Sequence, residues 1–179
     1  YKMVKNKASD KEQYNRYINV IGRKNIGSLD NFKNIKYNNE SEYKLFKYDY
    51  KLRNEAIHNP TNIVNDITIP KEKYTDYLFN FNNENGMIKG DLITEILGYD
   101  VNNYNELDKL IKSNISSYPC RYKNNNQYGE KYEVNMVLKG LKDRRAKVTV
   151  GLIKSNNEPI KLTTLYINKL KDSELNYDN

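Results

Sequence analysis

The stretch "NGMIKGDLITEILGYD", Asn85 to Asp100, places a cation where helix patterning calls for an apolar residue. Read as a helix from about Met87, it sets Ile88, Leu92, Ile93, Ile96 and Leu97 on one arc with Lys89 near its middle. Lys89 also falls in the first turn, where the helix dipole disfavours positive charge. A partly buried lysine with a lowered pKa can move protons or hold a phosphate, whereas a lysine that only packs its stem inward lets its ammonium snorkel to water.

The rest of the inventory narrows the chemistry. There is one histidine, His58, so a two-histidine acid/base mechanism and a multi-histidine metal site are excluded. A Cys–His nucleophilic pair would have to join Cys120 to His58; simpler roles are a helix-terminating imidazole for His58 and a small buried apolar residue for Cys120. A single cysteine also excludes an internal disulfide framework. Neither a GxxxxGK[ST] phosphate loop nor a GxGxxG after a strand occurs. The tightest acidic sets, "DKE" and "NNESE", sit at helix starts, where capping accounts for them better than metal binding.

What remains is Lys, Arg, Tyr, Thr, Asn and isolated carboxylates. That set suffices for RNA cleavage, because the substrate's own 2'-hydroxyl is the nucleophile and the protein need only align it, shift protons and stabilise charge on the phosphate. Neither a metal ion nor a cofactor is required. The net charge of +7, pI near 9.2 and 17 tyrosines suit an acidic polymer, although a solvated basic surface from lysine- and asparagine-rich coding is the simpler explanation of composition alone. The charge is uneven: residues 1–65 carry 13 basic against 7 acidic side chains, residues 66–179 carry 17 against 16. Lys44, Lys47 and Lys51 on the third helix are therefore candidate nucleic-acid contacts.

The elements that must position these groups are readable. Ser9-Asp10-Lys11-Glu12 has capping-box spacing and predicts a helix to about Ile21, stopped by Gly22. A second helix starts near Ser28 with Leu29, Phe32 and Ile35 inward. Ser41 caps a third, in which Leu45, Tyr48, Leu52, Ala56 and Ile57 form a seam, and Pro60 ends it. Pro70 fits the first turn of a helix through Tyr74 to Phe79. Then come the Lys89 helix, stopped by Gly98, and a helix from about Asn103 to Ile115 with Leu107, Leu110 and Ile111 inward.

From Tyr118 the period becomes two. Tyr132, Val134, Met136 and Leu138 alternate with Lys131, Glu133, Asn135 and Val137; Val148, Val150 and Leu152 alternate with Lys147, Thr149 and Gly151; Ile160, Leu162, Thr164 and Tyr166 alternate with Lys161, Thr163 and Leu165. "CRYK" adds a further strand. The fold class is thus α+β, N-terminal helices followed by an antiparallel meander of three to five strands with helices on one face. We expect a basic helical module at 1–65, an α+β effector domain at 66–167, and a tail at 168–179 that frays or forms a short surface helix. No apolar run approaches the length of a membrane span, so the chain reads as soluble. It opens on Tyr1 rather than Met, as an excised piece of a longer protein would.

Two portions carry a resemblance. "DKEQYNRYINVIG", "SLDNFKNIKYNNESEYKLFKYDYKLRNEAI" and their spacing resemble a segment of phage minor head (MuF-type head morphogenesis) proteins and related secreted effectors. Residues 69–167, with "GMIKGDLITEILGY", "QYGEKYEV", "VTVGLI" and "LTTLYI", resemble an uncharacterised bacterial domain found at the C-termini of polymorphic toxins and phage head proteins, which often has an aromatic where this chain has "VGLI". That resemblance singles out Lys89, Tyr128, Gly129, Tyr132, Thr149 and Thr164. It implies a toxin and a cognate immunity protein, acting in a target bacterium's cytoplasm or carried on a virion, with capsid or portal contacts through the longer protein.

The layout is also similar to barnase, EndoU, colicin and RelE-like ribonucleases. The leading expectation is a metal-independent ribonuclease acting on tRNA or other RNA. Lys89, Tyr128, Thr149 and Thr164 would serve at the reacting phosphate, and Arg145, Lys131 and Lys147, with Lys44, Lys47 and Lys51, would hold the backbone. Each has a structural alternative: Tyr128-Gly129 as a hairpin entry, Tyr132 as a core aromatic, the threonines as strand formers, and Arg144 and Arg145 as turn solvation. The rival expectations are a non-enzymatic nucleic-acid or capsid-binding module built on the helix from Ser41 to Ile57, and a toxin aimed at a nucleotide or the translation machinery.

Overall fold

Local capping chemistry sets the first third of the chain. The computed structural model describes residues 7–60 and 66–175. Residues 61–65, where the expected helical module ends at a boundary placed at about 60–66, and residues 176–179 of the expected tail lie outside the described residues. Ser9 Oγ accepts the Glu12 N–H at 3.2 Å and starts α1 (Asp10–Ile21), which ends at Gly22 with φ +97°. A single turn, α2 (Arg23–Ile26), leads to α3 (Leu29–Asn38), capped by Ser28. The cap of α4 (Glu40–His58) is Asn39, whose side chain accepts from Glu42 N–H, so Ser41 lies inside the helix rather than at its start.

Alpha helices α1 to α4 enclose an aromatic cluster of Tyr14, Tyr17, Ile21, Ile26, Phe32 and Phe46, in which Tyr17 meets Phe32 edge-on at 5.7 Å. α4 contributes to two cores. Phe46 belongs to this one, whereas Tyr48 and Leu52 belong to the larger core that holds the sheet. The seam expected on this helix ends early, because Ile57 is exposed.

After β1 (Ile67–Thr68), the segment expected as an ordinary helix is a π-helix, Lys73–Leu78, in which the Phe79 N–H bonds the Tyr74 carbonyl five residues back. The Tyr74 ring stacks on Tyr104 at 5.1 Å and its hydroxyl donates to Asp108 at 2.9 Å, anchoring this turn to the following helices. α5 (Glu84–Leu97), capped by Asn83, starts three residues before the expected position, and α6 (Tyr104–Asn114) follows. Strands β2 (Cys120–Asn126), β3 (Gly129–Lys139), β4 (Arg145–Lys154) and β5 (Ile160–Ile167) make an antiparallel meander. The short parallel β1 extends it to five strands in the order β1-β5-β4-β3-β2.

Two strands depart from strict alternation: β2, where Tyr122 pairs with Tyr132 but Asn124 with Lys131, and β5. Gly151 pairs with Thr164 but Leu152 pairs with Leu162, leaving Thr163 as an extra residue in a bulge. Beyond the bulge the faces exchange: Leu165 joins Ile160 and Leu162 in the core, while Thr164, expected alongside them, is exposed. A Cβ at position 151 would lie 2.4 Å from Thr164 Oγ1, so any other residue there would have to turn that hydroxyl aside. This is where the chain carries "VGLI".

The tail is not frayed over its described part. Leu170 and Leu175 pack against the main core, and Asp172–Leu175 form a 3-10 turn lying on α4. No helix among the described residues is long and apolar enough to cross a membrane.

Candidate functional site

Strand β4 divides its side chains by chemistry. Ala146, Val148, Val150 and Leu152 enter the core shared with Ile93, Leu97, Leu107 and Ile111. On its other side stand Arg145, Lys147 and Thr149, all nearly buried and all engaged. Arg145 forms an ion pair with Glu42 at 2.9 Å, donates to the Asn25 carbonyl, and lies 4.3 Å over the Phe46 ring. It is thus a clasp between β4 and the helices, and a phosphate could reach its guanidinium only by displacing Glu42. Lys147 pairs with Glu174 at 2.6 Å above the Tyr48 ring. The Thr149 hydroxyl lies 2.7 Å from Asn135 Oδ1 and 3.0 Å from Asn168 Oδ1. With one proton it donates to one amide oxygen, so the other amide must turn its NH₂ toward it.

Between α4, α5 and the neighbouring ends of β4 and β5 runs a groove of about 730 Å³. Leu45, Leu92, Ile96, Ala146, Ile167 and Leu170 give it an apolar lining; Lys44, Arg144, Arg145, Lys147, Lys169 and Lys171 give it positive charge, against one acid, Asp172. Lys44 bridges to Glu40 and Asp172. The side chains of Arg144, Lys169 and Lys171 make no ion pair or hydrogen bond among the described residues, and all three are exposed. They are the cations that an incoming anion meets first.

Lys89 adjoins this groove. Because α5 begins at Glu84, Lys89 lies in its second turn, beyond the strongest dipole penalty. The face that α5 buries is Gly86, Gly90, Ile93 and Leu97, with Ile88 and Leu92 exposed. Lys89 therefore flanks the buried stripe rather than centring it, on the same side as Leu92 and Ile96 of the groove. Its ammonium donates to the Tyr77 hydroxyl at 3.2 Å and lies 5.5 Å and 5.7 Å from the Tyr77 and Tyr166 ring centres. The hydrogen bond to Tyr77 and the contact with the Tyr166 ring, each worth about 0.5–1 kcal/mol, more than offset what remains of the dipole penalty.

The sheet register relates this pair to the threonines. Tyr166 is the cross-strand partner of Thr149, Thr149 is that of Asn135, and Thr164 stands two residues along β5 on the same side as Tyr166. Lys89, Thr149 and Thr164 thus gather around Tyr166. Tyr128 and Lys131 do not. Tyr128 sits at the β2–β3 hairpin tip, where Gly129 takes φ +144° and the Tyr128 carbonyl accepts the Ser155 hydroxyl. Glu130 pairs with Lys154, five residues along β4 from Thr149, which sets Glu130 about 17 Å from the threonine at strand spacing and Tyr128 two residues beyond it. Lys131, exposed beside Ile153, shares that distant end.

Tyr132 packs edge-on against Tyr122, and its hydroxyl bonds Glu130, whose charge with partial burial pushes the phenol up to about 12. On α4, Lys47 lies 4.9 Å over the Tyr43 ring and Lys51 donates to the Glu174 carbonyl at 2.8 Å. Tyr77, Tyr166, Lys169 and Lys171 did not stand out in the sequence. The one signal for the last two was the "KLK" following the last strand.

His58 Nδ1 is engaged with the Asn54 carbonyl at 2.8 Å, and burial pushes the Cys120 thiol up to about 11. At pH 7.5, Cys120 is expected to react with iodoacetamide about two orders of magnitude more slowly than a free thiol. Alkylation at the free-thiol rate would restore Cys120 as a nucleophile. No three His, Cys, Asp or Glu side chains among the described residues gather as a metal site.

Fold and groove together define an α+β domain with a cationic, apolar-floored cleft at one end of a five-stranded sheet. The chain belongs to the family described as Domain of unknown function (DUF6883), matched over residues 60–169. The match includes Lys89, all five strands and Lys169, and excludes α1 to α4 and Glu174. Comparison with curated proteins and with solved structures gives no match.

Proposed function

We propose that this domain is an RNA-directed toxin of the kind carried at the C-termini of polymorphic toxins and phage head proteins, and that it cleaves RNA without a metal ion. The observation that carries the reading is a groove whose Arg144, Lys169 and Lys171 make no ion pair among the described residues, with a lysine held between two tyrosines about one helical turn from its Leu92. Arg144, Lys169 and Lys171 follow the backbone, and the apolar lining takes a base or ribose face. Lys89, with the Tyr77 hydroxyl, stabilises charge on the phosphate attacked by the 2'-hydroxyl. Partners are RNA and a cognate immunity protein, with capsid contacts belonging to the longer chain.

Purified protein incubated with total tRNA in EDTA is expected to yield cyclic-phosphate ends, and Lys89→Ala is expected to slow cleavage by about 10²–10³ while changing RNA affinity little. Absence of cleavage in EDTA that appears on adding magnesium would sink the metal-free mechanism. RNA bound but left intact would favour a non-enzymatic module, a reading supported by the engagement of Thr149 with two amides and of Lys147 with Glu174.

A further inference from the structure

Beyond β5 the chain turns back over α4. The Asn168 N–H donates to the Lys147 carbonyl at 3.1 Å, and the turn Asp172–Leu175 then brings Glu174 down on the middle of the helix. The Glu174 carboxylate lies 2.6 Å from Lys147 Nζ and its charge acts on the Tyr48 hydroxyl, while Lys51 holds its carbonyl. The Lys147 side chain is only 6% exposed, where an ammonium without a partner anion would be costly. Burial works upward on the Glu174 carboxyl, yet Lys147 and the Lys171 N–H hold it below the usual carboxylate range. Burial and the Glu174 charge both push the Tyr48 hydroxyl up.

The seat is built by two elements, β4 and α4, and its occupant by a third. The occupying turn has no fully buried residue, and its one apolar anchor is the partly buried Leu175, so lifting it costs less than opening a core element. Lys147 also lines the groove. An anion displacing Glu174 would therefore be continuous with one bound along Arg144 and Lys171.

We propose that Lys147, Tyr48 and Lys51 form a phosphate site for an RNA backbone, and that Glu174 occupies it as a self-blocking strap which substrate must lift. A carboxylate and a phosphate oxygen accept the same charge-assisted bonds from an ammonium and a phenol, so the exchange keeps Lys147 paired throughout. The proposal rests on the RNA reading of the groove.

The test is fluorescence anisotropy of a labelled single-stranded RNA with the full chain, its Glu174→Gln variant, and Glu158→Gln, which removes an exposed acid at the distant β4–β5 turn. Glu174→Gln is expected to bind about fivefold tighter at 0.1 M salt, with the log K against log salt slope steeper by about 0.7, one additional phosphate contact on a single strand. Glu158→Gln should leave the slope at the wild-type value. In wild type, RNA should accelerate cleavage after Glu174 by a glutamate-specific protease, a readout that requires no variant. Wild-type binding with the same slope in Glu174→Gln, or an equal gain in both variants, overturns the strap and leaves the RNA reading standing. Absence of RNA binding by any of the three overturns both.

Discussion

Replacing Asp49 by alanine lowers the unfolding free energy by roughly 3–5 kcal/mol, read as a fall in the urea midpoint at unchanged slope. Asp49 and Arg53 are an ion pair at 2.9 Å with side chains 5% and 10% exposed. Tyr118 donates to the same carboxylate oxygen at 2.6 Å and accepts from Arg53 Nε at 3.1 Å, and Asn114 lies 3.4 Å from the guanidinium. Burial pushes the Asp49 carboxyl up, while Arg53 and Tyr118 pull it down. Truncating Asp49 would leave a buried guanidinium with no counter-charge, which is why the cost exceeds that of losing one hydrogen bond.

The double replacement Asp49→Leu with Arg53→Met is expected to cost less than either single truncation, because it removes both desolvated charges together. A loss below about 1 kcal/mol for Asp49→Ala would mean that water reaches the pair and screens it. The network also joins what the sequence separated. Asp49 and Arg53 precede the boundary expected at 60–66, and Asn114 and Tyr118 follow it, so α4 is bound into the sheet's core by charge as well as by Tyr48 and Leu52.

Features governed by neighbouring residues were legible. The Ser9 cap, the Gly22 and Gly98 stops and three long strands each follow from chemistry within a few positions. Features governed by distant partners were not. Arg145 and Lys147 read as exposed phosphate contacts because their acids, Glu42 and Glu174, lie 103 and 27 residues away. Lys89 drew notice as a breach of patterning, but Tyr166 cannot be associated with it until the sheet is formed. The Thr163 bulge was hidden because alternation carries no mark of an inserted residue. The apolar arc of α5 misled for a different reason: its buried face is set by two glycines, which add nothing to a hydrophobic pattern.

Those glycines support the prediction that bears most directly on the site. Gly90→Ala is expected to destabilise the protein by about 3 kcal/mol, lowering the melting temperature by roughly 6–12 °C. Helix propensity alone predicts the opposite sign, a gain of about 0.5–1 kcal/mol for alanine over glycine. Sterics decide it. A Cβ at 90 would lie 1.7 Å from the Leu78 carbonyl oxygen, and one at 86 would lie 2.0 Å from that of Tyr77. Both obstacles are backbone atoms of the π-helix and the turn it forms, held by Tyr74 against Tyr104 and Asp108, so relief requires α5 to move away as a body. That movement would carry Lys89 off the Tyr77 hydroxyl, so RNA cleavage should fall together with stability. A Gly90→Ala protein that melts at or above the wild-type temperature would show that the two helices do not pack backbone to backbone, and the placement of Lys89 between Tyr77 and Tyr166 would lose its structural cause.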